Sequence, residues 1–114
     1  MKYLLLLYAD EIAGSKVSKE DMEFYMGQFG AWSEAMSKAG VLVTFGALQR
    51  TAAAVTVRLQ QGKKVTTAGP FAETKEQLGG FYIIDSPNLD EAIEWAAKCP
   101  GAQWGSVEVR PIRE

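Results

Sequence analysis

The chain alternates between short apolar runs and polar or glycine-containing breaks, a pattern typical of a protein rich in strands. The first run, YLLLLYA, is apolar throughout, as expected of a strand buried on both faces. A later run, AVTVRLQ, alternates, so Val57 and Arg58 lie on opposite faces. We predict strands at Lys2–Ala9, Val41–Leu48, Ala53–Gln60, Lys64–Ala68 and Gly80–Asp85, with a last strand within Trp104–Ile112.

Two segments carry the helical period instead. Ser18 caps the first, three positions before Asp21, and this helix continues to about Lys38. The second is capped by Asn88 and continues to about Lys98. Apolar positions on the first helix recur at the spacing of a single face, which we interpret as packing in the core. These positions are Met22, Tyr25, Met26, Phe29, Trp32, Ser33 and Met36.

The resulting order of elements is β-α-β-β-(β)-β-α-β, within a single domain of residues 1–114. Two helices separated by strands in this order predict an α+β fold, the ferredoxin-like sandwich with its split β-α-β arrangement. Two helices cover only one face of such a sheet, yet the runs YLLLLYA, VLVTFGAL and FYII are apolar on both faces. We therefore predict a homodimer in which two sheets face each other as a dimeric α/β barrel.

Composition and charge narrow the classes of function. The chain carries 12 Lys and Arg against 14 Asp and Glu, which argues against nucleic acid as a partner because phosphate binding needs a basic surface. Asp10 and Glu11 directly follow the first apolar run, so this run is interpreted as a buried strand and not as a signal peptide. No other run approaches membrane-spanning length. The single Cys99 favours a reducing cytoplasm.

The residue types also limit the chemistry. Histidine is absent, which removes the commonest general base and metal ligand and any Ser-His or Cys-His nucleophile. The P-loop pattern is missing, and no G-x-G-x-x-G follows a strand. We therefore predict no metal and no cofactor, and we regard Cys99 as structural.

The connection GPFAETKEQLGG, residues 69–80, is a candidate site with two interpretations. The structural one has a turn at Gly69-Pro70, a single helical turn within Thr74–Leu78, and charges that pair with each other or with water. The functional one rests on the fact that loops on a rigid scaffold carry binding and catalytic groups. Both interpretations stay open at this point.

In the functional interpretation this loop supplies charges and an aromatic ring. Glu73 and Glu76 are candidate general bases, because partly buried carboxylates near a cavity can accept protons. Lys75 is a candidate partner for an anionic group of a ligand, and Phe71 offers an aromatic surface.

Three further residues complete the candidate site. Tyr8 and Asp10 share the same parity at the end of the first strand, so they point to one side, where we expect them to meet the loop and position a substrate. Asp10 is also a catalytic candidate. Arg58 faces the interior of the barrel if the apolar residues of its strand face the helices, and an Arg there needs an anionic partner.

The sequence as a whole resembles the YCII-related family, in the subgroup named for a DGPF motif. The resemblance covers nearly the whole chain, through MKYLLLLYADE, AGVLVTFGALQ, TAAAVTVR, AGPFAETKEQLGGFYIID, LDEAIEWAAKCPG and GSVEVRPI. It implies a dimeric α/β barrel of ferredoxin-like subunits. It implies no established reaction. Some genes of this subgroup lie beside, or are fused to, genes of extracytoplasmic-function sigma factors, so the resemblance also implies a sigma factor as a possible partner.

The chain departs from this family pattern at two points. Ala68 stands where the subgroup usually has Asp before Gly-Pro-Phe, and the His of a His-Asp pair proposed for distant members has no counterpart. A mechanism that uses that imidazole therefore does not transfer to this chain.

Two hypotheses of function follow. In the first, the protein is a cofactor-free enzyme that acts on a small anionic or aromatic molecule by proton transfer, isomerisation or lyase-like chemistry. In the second, it is a non-catalytic module that binds a small ligand or a protein such as a sigma factor. The substitution at Ala68 and the missing His favour the second hypothesis.

Overall fold

The computed structural model describes residues 1–114. It contains six strands, three α-helices and two short 3₁₀ turns. The strands are β1 (Lys2–Ala9), β2 (Leu42–Ala47), β3 (Val55–Gln60), β4 (Lys63–Ala68), β5 (Gln77–Asp85) and β6 (Ser106–Pro111). The α-helices are α1 (Glu11–Gly14), α2 (Lys19–Lys38) and α3 (Leu89–Ala97), and the 3₁₀ turns are Thr51–Ala53 and Pro100–Gln103.

Four of the strands form one antiparallel sheet in the order β2-β5-β1-β6. The central strand β1 places Leu5 opposite Tyr82 of β5 on one side and Val109 of β6 on the other. α2 connects β1 to β2, and α3 connects β5 to β6. This is the split β-α-β arrangement of a ferredoxin-like fold, and the predicted α+β ferredoxin-like sandwich is confirmed.

One face of the sheet packs against α2 and α3. The indole N–H of Trp32 on α2 donates a hydrogen bond of 3.1 Å to the carbonyl oxygen of Trp95 on α3, which ties the two helices together. The core between helices and sheet consists of nine buried residues: Tyr3, Leu5, Trp32, Met36, Tyr82, Ile84, Ala92, Ala96 and Cys99. It is small for a chain of 114 residues.

Both long helices begin where the capping signals predict. The Ser18 hydroxyl accepts the backbone N–H of Asp21, and the Asn88 side chain accepts the backbone N–H of Glu91. Gly40 follows the end of α2 with φ of +75°, a conformation that glycine adopts at low cost. None of the helices combines the length and the apolar character that crossing a membrane requires.

The loop before β5 is shorter than predicted. β5 begins at Gln77, which pairs with Ala9 of β1, and Leu78 pairs with Tyr8. The predicted helical turn within Thr74–Leu78 is therefore wrong, because Gln77 and Leu78 pair with the end of β1 and no helix forms at residues 74–76. Gly79 accommodates the irregularity in register at this point.

The β3-β4 hairpin stands apart from the four-stranded sheet, since β3 pairs only with β4. Val55, Val57 and Leu59 are 64%, 59% and 75% exposed, so they do not face the helices. The premise that placed Arg58 in the interior of a barrel is therefore wrong for the single chain. Arg58 is exposed on the opposite face of the hairpin.

Candidate functional site

A cavity of about 540 Å³ lies between the helix-facing side of the sheet and the N-terminal half of α2. This is within the range of roughly 300 to 1,000 Å³ that small-molecule sites occupy. Thirteen of the 20 residues in its wall are hydrophobic. We call this cavity the aromatic pocket, because five aromatic rings besides Tyr8 contribute to it: Tyr25, Phe29, Phe45, Tyr82 and Trp104.

The rings of the aromatic pocket pack against each other and form two of its sides. Phe45 and Tyr82 are stacked, with centroids 5.1 Å apart and planes at 11°. On the α2 side, the ring centroids of Tyr25 and Trp104 are 4.6 Å apart. The rings of Phe29 and Trp104 form an edge-to-face pair with centroids 6.4 Å apart. Rings held in this way offer both faces and edges to a flat ligand.

The helical stripe of α2 divides between two environments. Trp32 and Met36, at its C-terminal end, are buried in the core. Met22 and Met26, at its N-terminal end, remain 41% and 59% exposed and line the aromatic pocket. The interpretation of the whole stripe as core is therefore wrong for its first half, which overhangs the cavity.

Asp10 is the only charged residue in the wall of the aromatic pocket. It follows β1 directly and caps α1, because its side chain accepts the backbone N–H groups of Ile12 and Ala13 at 2.9 and 3.2 Å. Both N–H groups donate to the same oxygen, Oδ1. The second oxygen, Oδ2, is therefore the one that can accept a proton or a hydrogen bond from a ligand.

A close approach of two backbone segments fixes the end of the pocket near Asp10. A Cβ atom on Gly105 would lie 2.1 Å from the carbonyl oxygen of Tyr8. Glycine thus lets the start of β6 pass β1, and Ser106 pairs opposite Tyr8. Both Tyr8 and Ser106 belong to the wall of the pocket.

Glu76 reaches this end of the pocket through Ser106. The Ser106 hydroxyl donates a 2.7 Å hydrogen bond to Oε1 of Glu76, whose side chain is partly buried. Of the predicted site residues, Tyr8 and Asp10 thus line the cavity, and Glu76 is hydrogen-bonded to the wall residue Ser106.

Glu11 fastens α1 beside the pocket. Its two carboxylate oxygens accept the backbone N–H and the hydroxyl of Thr51, both at 2.8 Å. Its own backbone N–H donates to the side-chain oxygen of Gln77 at 2.9 Å. These bonds connect the end of β1 to the start of β5 and to the segment after β2.

Tyr82 supplies a polar group deep in the wall. Its hydroxyl and that of Ser33 are 2.9 Å apart and form a hydrogen bond. Burial raises the pKa of Tyr82 above its ordinary value of 10.0, the Ser33 hydrogen bond lowers it in part, and Cys99 raises it further. The phenol is therefore neutral over the physiological range.

Like Glu76, the remaining predicted residues lie outside the wall of the aromatic pocket. Glu73 and Lys75 are exposed in the loop. Phe71 is 76% exposed, and the Arg58 guanidinium lies 5.2 Å from the centroid of its ring. This cation-π contact explains the placement of the two residues without a ligand. The roles of these four residues stay predictions.

Several wall residues carry no sequence pattern that indicates a shared site. Phe45 sits on an edge strand and Trp104 follows a 3₁₀ turn, so neither belongs to a periodic pattern that points at a shared space. The sequence therefore offered no local signal for either residue. Nowhere does the structure bring three Asp, Glu or Cys side chains together in a way that would hold a metal ion.

The fold and the cavity define a ferredoxin-like α+β protein with a pocket of small-molecule size between helix and sheet. The chain belongs to the YCII-related family, because the YCII-related domain matches residues 1–114. It is 44% identical over 114 residues to an uncharacterised protein of Rhizobium meliloti (strain 1021). The aligned region covers 98% of this chain and 92% of that protein.

A solved structure shares the fold. That structure is of 5-chloro-2-hydroxyhydroquinone dehydrochlorinase (TftG) from Burkholderia phenoliruptrix AC1100, in complex with 2,5-dihydroxybenzoquinone. The similarity covers 100% of this chain and 95% of that one, with a TM-score of 0.56 and 14% sequence identity. At this identity the similarity establishes the shared fold alone.

Proposed function

We propose that the protein binds a small, largely apolar ring compound in the aromatic pocket and acts on it as a cofactor-free enzyme. The observation that carries this proposal is a 540 Å³ cavity walled by stacked aromatic rings, with a single carboxylate at one end. Apolar walls with a few placed polar groups are the usual composition of small-molecule sites. The known ligand of the TftG structure, a quinone, is also a small ring compound.

Asp10 is the group proposed to transfer a proton. Oδ1 is engaged by the backbone of α1, which fixes the orientation of the carboxylate, and Oδ2 is the acceptor. Glu76, held by Ser106 at the same end, is the second candidate base. Proton transfer, isomerisation and elimination can each begin with removal of a proton from a positioned substrate by such a base.

The first test is binding of para-propylphenol, a neutral ring compound, measured by isothermal titration calorimetry. Phe45→Ala removes one side of the pocket and should weaken binding about tenfold, as loss of a buried aromatic contact does. Phe71→Ala is the matched control, because it removes an equally large ring from the loop at residues 69–80. It should leave affinity within about twofold.

The opposite result would move the site. If Phe71→Ala weakens binding and Phe45→Ala does not, the loop is the ligand site and the aromatic pocket is not. If para-propylphenol does not bind at millimolar concentration, the proposal of an aromatic-ring site fails.

A second candidate function is binding without catalysis, favoured by the engagement of Asp10 in capping α1. The two are separated by following bound compounds over time by NMR, beginning with the chlorinated hydroxyhydroquinone named for TftG. Conversion that Asp10→Asn abolishes while binding persists supports the enzyme. Binding without conversion of every ligand supports the binding protein. The link to a sigma factor is a further prediction, tested by co-purification.

Homodimer formation is part of the same proposal. The sheet face opposite the helices carries Leu4, Leu6, Phe81 and Ile83, all only partly buried in the single chain. A second copy packed on this face would remove them from water. The cavity on the helix side would remain open to ligands, because it lies on the other face of the sheet.

A further inference from the structure

The wall of the aromatic pocket has an unequal distribution of charge. Its 20 residues include one carboxylate, that of Asp10, and no Lys or Arg. A second carboxylate, that of Glu76, lies outside the wall but is hydrogen-bonded to the wall residue Ser106. The nearest basic residue in sequence, Lys16, is exposed in the connection between α1 and α2 and is not part of the wall.

We infer that the aromatic pocket selects ligands that carry a protonated amine on an apolar ring, and that Asp10 is the residue that determines this selection. The inference rests on the proposed function and specifies the class of ligand for the same cavity. It replaces the expectation of an anionic substrate, since Lys75 and Arg58, the groups invoked to bind an anion, both lie outside the wall.

Aromatic faces favour this class of ligand. A ring carries partial negative charge on its face, so a cation near that face is attracted, more strongly when it is removed from water. Tyr25, Phe45, Tyr82 and Trp104 line the same cavity as Asp10. A ring compound that carries an ammonium group can therefore place its ring against aromatic side chains and its charge toward the carboxylate.

The free oxygens of the two acids give the ammonium group hydrogen-bond acceptors. Asp10 has Oδ2 available, because Oδ1 accepts both backbone N–H groups of α1. Glu76 has Oε2 available, because Oε1 accepts the Ser106 hydroxyl. Glu11 does not compete, since Thr51 engages both of its oxygens. An alkylammonium group has three donors to place on such acceptors.

An anion would meet the opposite conditions in this cavity. It would give up water for a space that contains a carboxylate and lacks a basic side chain, and neither the Coulomb interaction nor desolvation is then favourable. A neutral ligand of the same shape should bind with intermediate affinity. It keeps the ring contacts, and its affinity is neither raised nor lowered by a charge interaction.

Three probes of one shape separate these cases. Tyramine, para-propylphenol and para-hydroxyphenylpropanoate share a phenol ring with a short chain that ends in an ammonium, a methyl or a carboxylate. We expect tyramine to bind about tenfold more tightly than the carboxylate, with para-propylphenol between them, in calorimetric titrations at low ionic strength.

Asp10→Asn removes the charge and keeps the cap, because Asn caps helix N-termini as well as Asp does. It should reduce the preference for tyramine over para-propylphenol to about twofold or less, because only the ammonium probe loses a charge interaction. Glu76→Gln keeps an acceptor for Ser106 and should have a smaller effect in the same direction. Asp90→Asn, in the first turn of α3, is the control for net charge and should leave the preference unchanged.

Each other outcome has a definite meaning. If the carboxylate probe binds as tightly as tyramine, the inference is overturned and the pocket stands. If Asp90→Asn lowers the preference as much as Asp10→Asn, bulk charge is responsible and the assignment to Asp10 is overturned. If none of the three probes binds, the proposed function is wrong, and the inference that rests on it is wrong as well.

Discussion

Tyr82 takes part in both the core and the aromatic pocket. Its ring packs on Trp32 at 4.5 Å and stacks on Phe45, while its hydroxyl bonds Ser33 of α2. A single side chain thus connects β5, the helix layer and the edge strand β2. Any change that moves this ring should therefore be felt by both the stability of the fold and the shape of the cavity.

The buried phenol and thiol make the fold sensitive to alkali. Burial raises the pKa values of Cys99 and Tyr82 above their ordinary values of 9.0 and 10.0. The unfolded chain then ionises first, so unfolding releases protons and the free energy of unfolding falls as pH rises past these ordinary values. This contribution to stability is fully present below about pH 8 and is lost above about pH 9 to 10.

Urea denaturation at neutral and alkaline pH measures this effect. Tyr82→Phe should lose about 1 kcal/mol at neutral pH, because the Ser33 hydroxyl loses its partner. It should also lose less stability than the wild type between about pH 9 and pH 11. Equal alkaline losses in the two proteins would show that Tyr82 does not contribute.

At the scale of elements, α2 has a different task along its two halves. Its C-terminal half builds the core through Trp32 and Met36, and its N-terminal half forms one side of the aromatic pocket through Met22 and Tyr25. The segment capped by Asp10 closes the same end of the molecule. The cavity therefore forms because α2 extends beyond the core. The side chains under its N-terminal half do not fill the space between the helix and the sheet.

A pair of glycine substitutions tests which close approaches the fold requires. Gly105→Ala should cost about 1 to 3 kcal/mol, because the added carbon meets the backbone of Tyr8 and one strand must shift. Gly30→Ala is the matched control, since no atom lies within 4 Å of the added carbon. It should stabilise α2 by up to about 1 kcal/mol. Thermal denaturation of the two variants provides the measurement, and equal effects would contradict the close approach at Gly105.

Much of the architecture is accessible from the sequence, because it depends on local patterns. The strands, the long helices and their caps at Ser18 and Asn88 follow from periodicity and capping, and the open sheet face follows from strands apolar on both sides. The family resemblance also holds over residues 1–114.

The cavity is not accessible in the same way. It depends on where α2 leaves the sheet and on which residues of distant segments meet there. Met22 and Met36 belong to the same apolar stripe of α2, yet only Met36 is buried. Phe45 and Trp104 reach the cavity from separate segments that share no sequence pattern. The parity of Tyr8 and Asp10 was a useful signal, because it needs only the local geometry of one strand.

At the scale of the whole molecule, the single chain is thin and incompletely buried. Its Cα radius of gyration is 16.0 Å, against about 13 Å for a compact domain of this length. Its extents are 48 × 41 × 19 Å, and only 12 of the 114 residues are buried. A layer this thin has its open sheet face and the β3-β4 hairpin available to a second copy.

The proposed homodimer is tested by placing a charge on the open face. Leu6→Asp should shift the protein to a monomer, because a carboxylate at that face would be buried without a partner. Leu89→Asp is the matched control, since it adds the same charge at the first residue of α3, where an acid is favourable. Sedimentation of the wild type at micromolar concentration as a monomer would contradict the proposal.

The claim that a ligand binds between helix and sheet is tested most directly by a crystal structure grown with an excess of para-propylphenol. We expect density for the phenol ring among Phe45, Tyr82 and Trp104. Density only beside Phe71 in the loop at residues 69–80, or only on the open sheet face near Leu6, would contradict it.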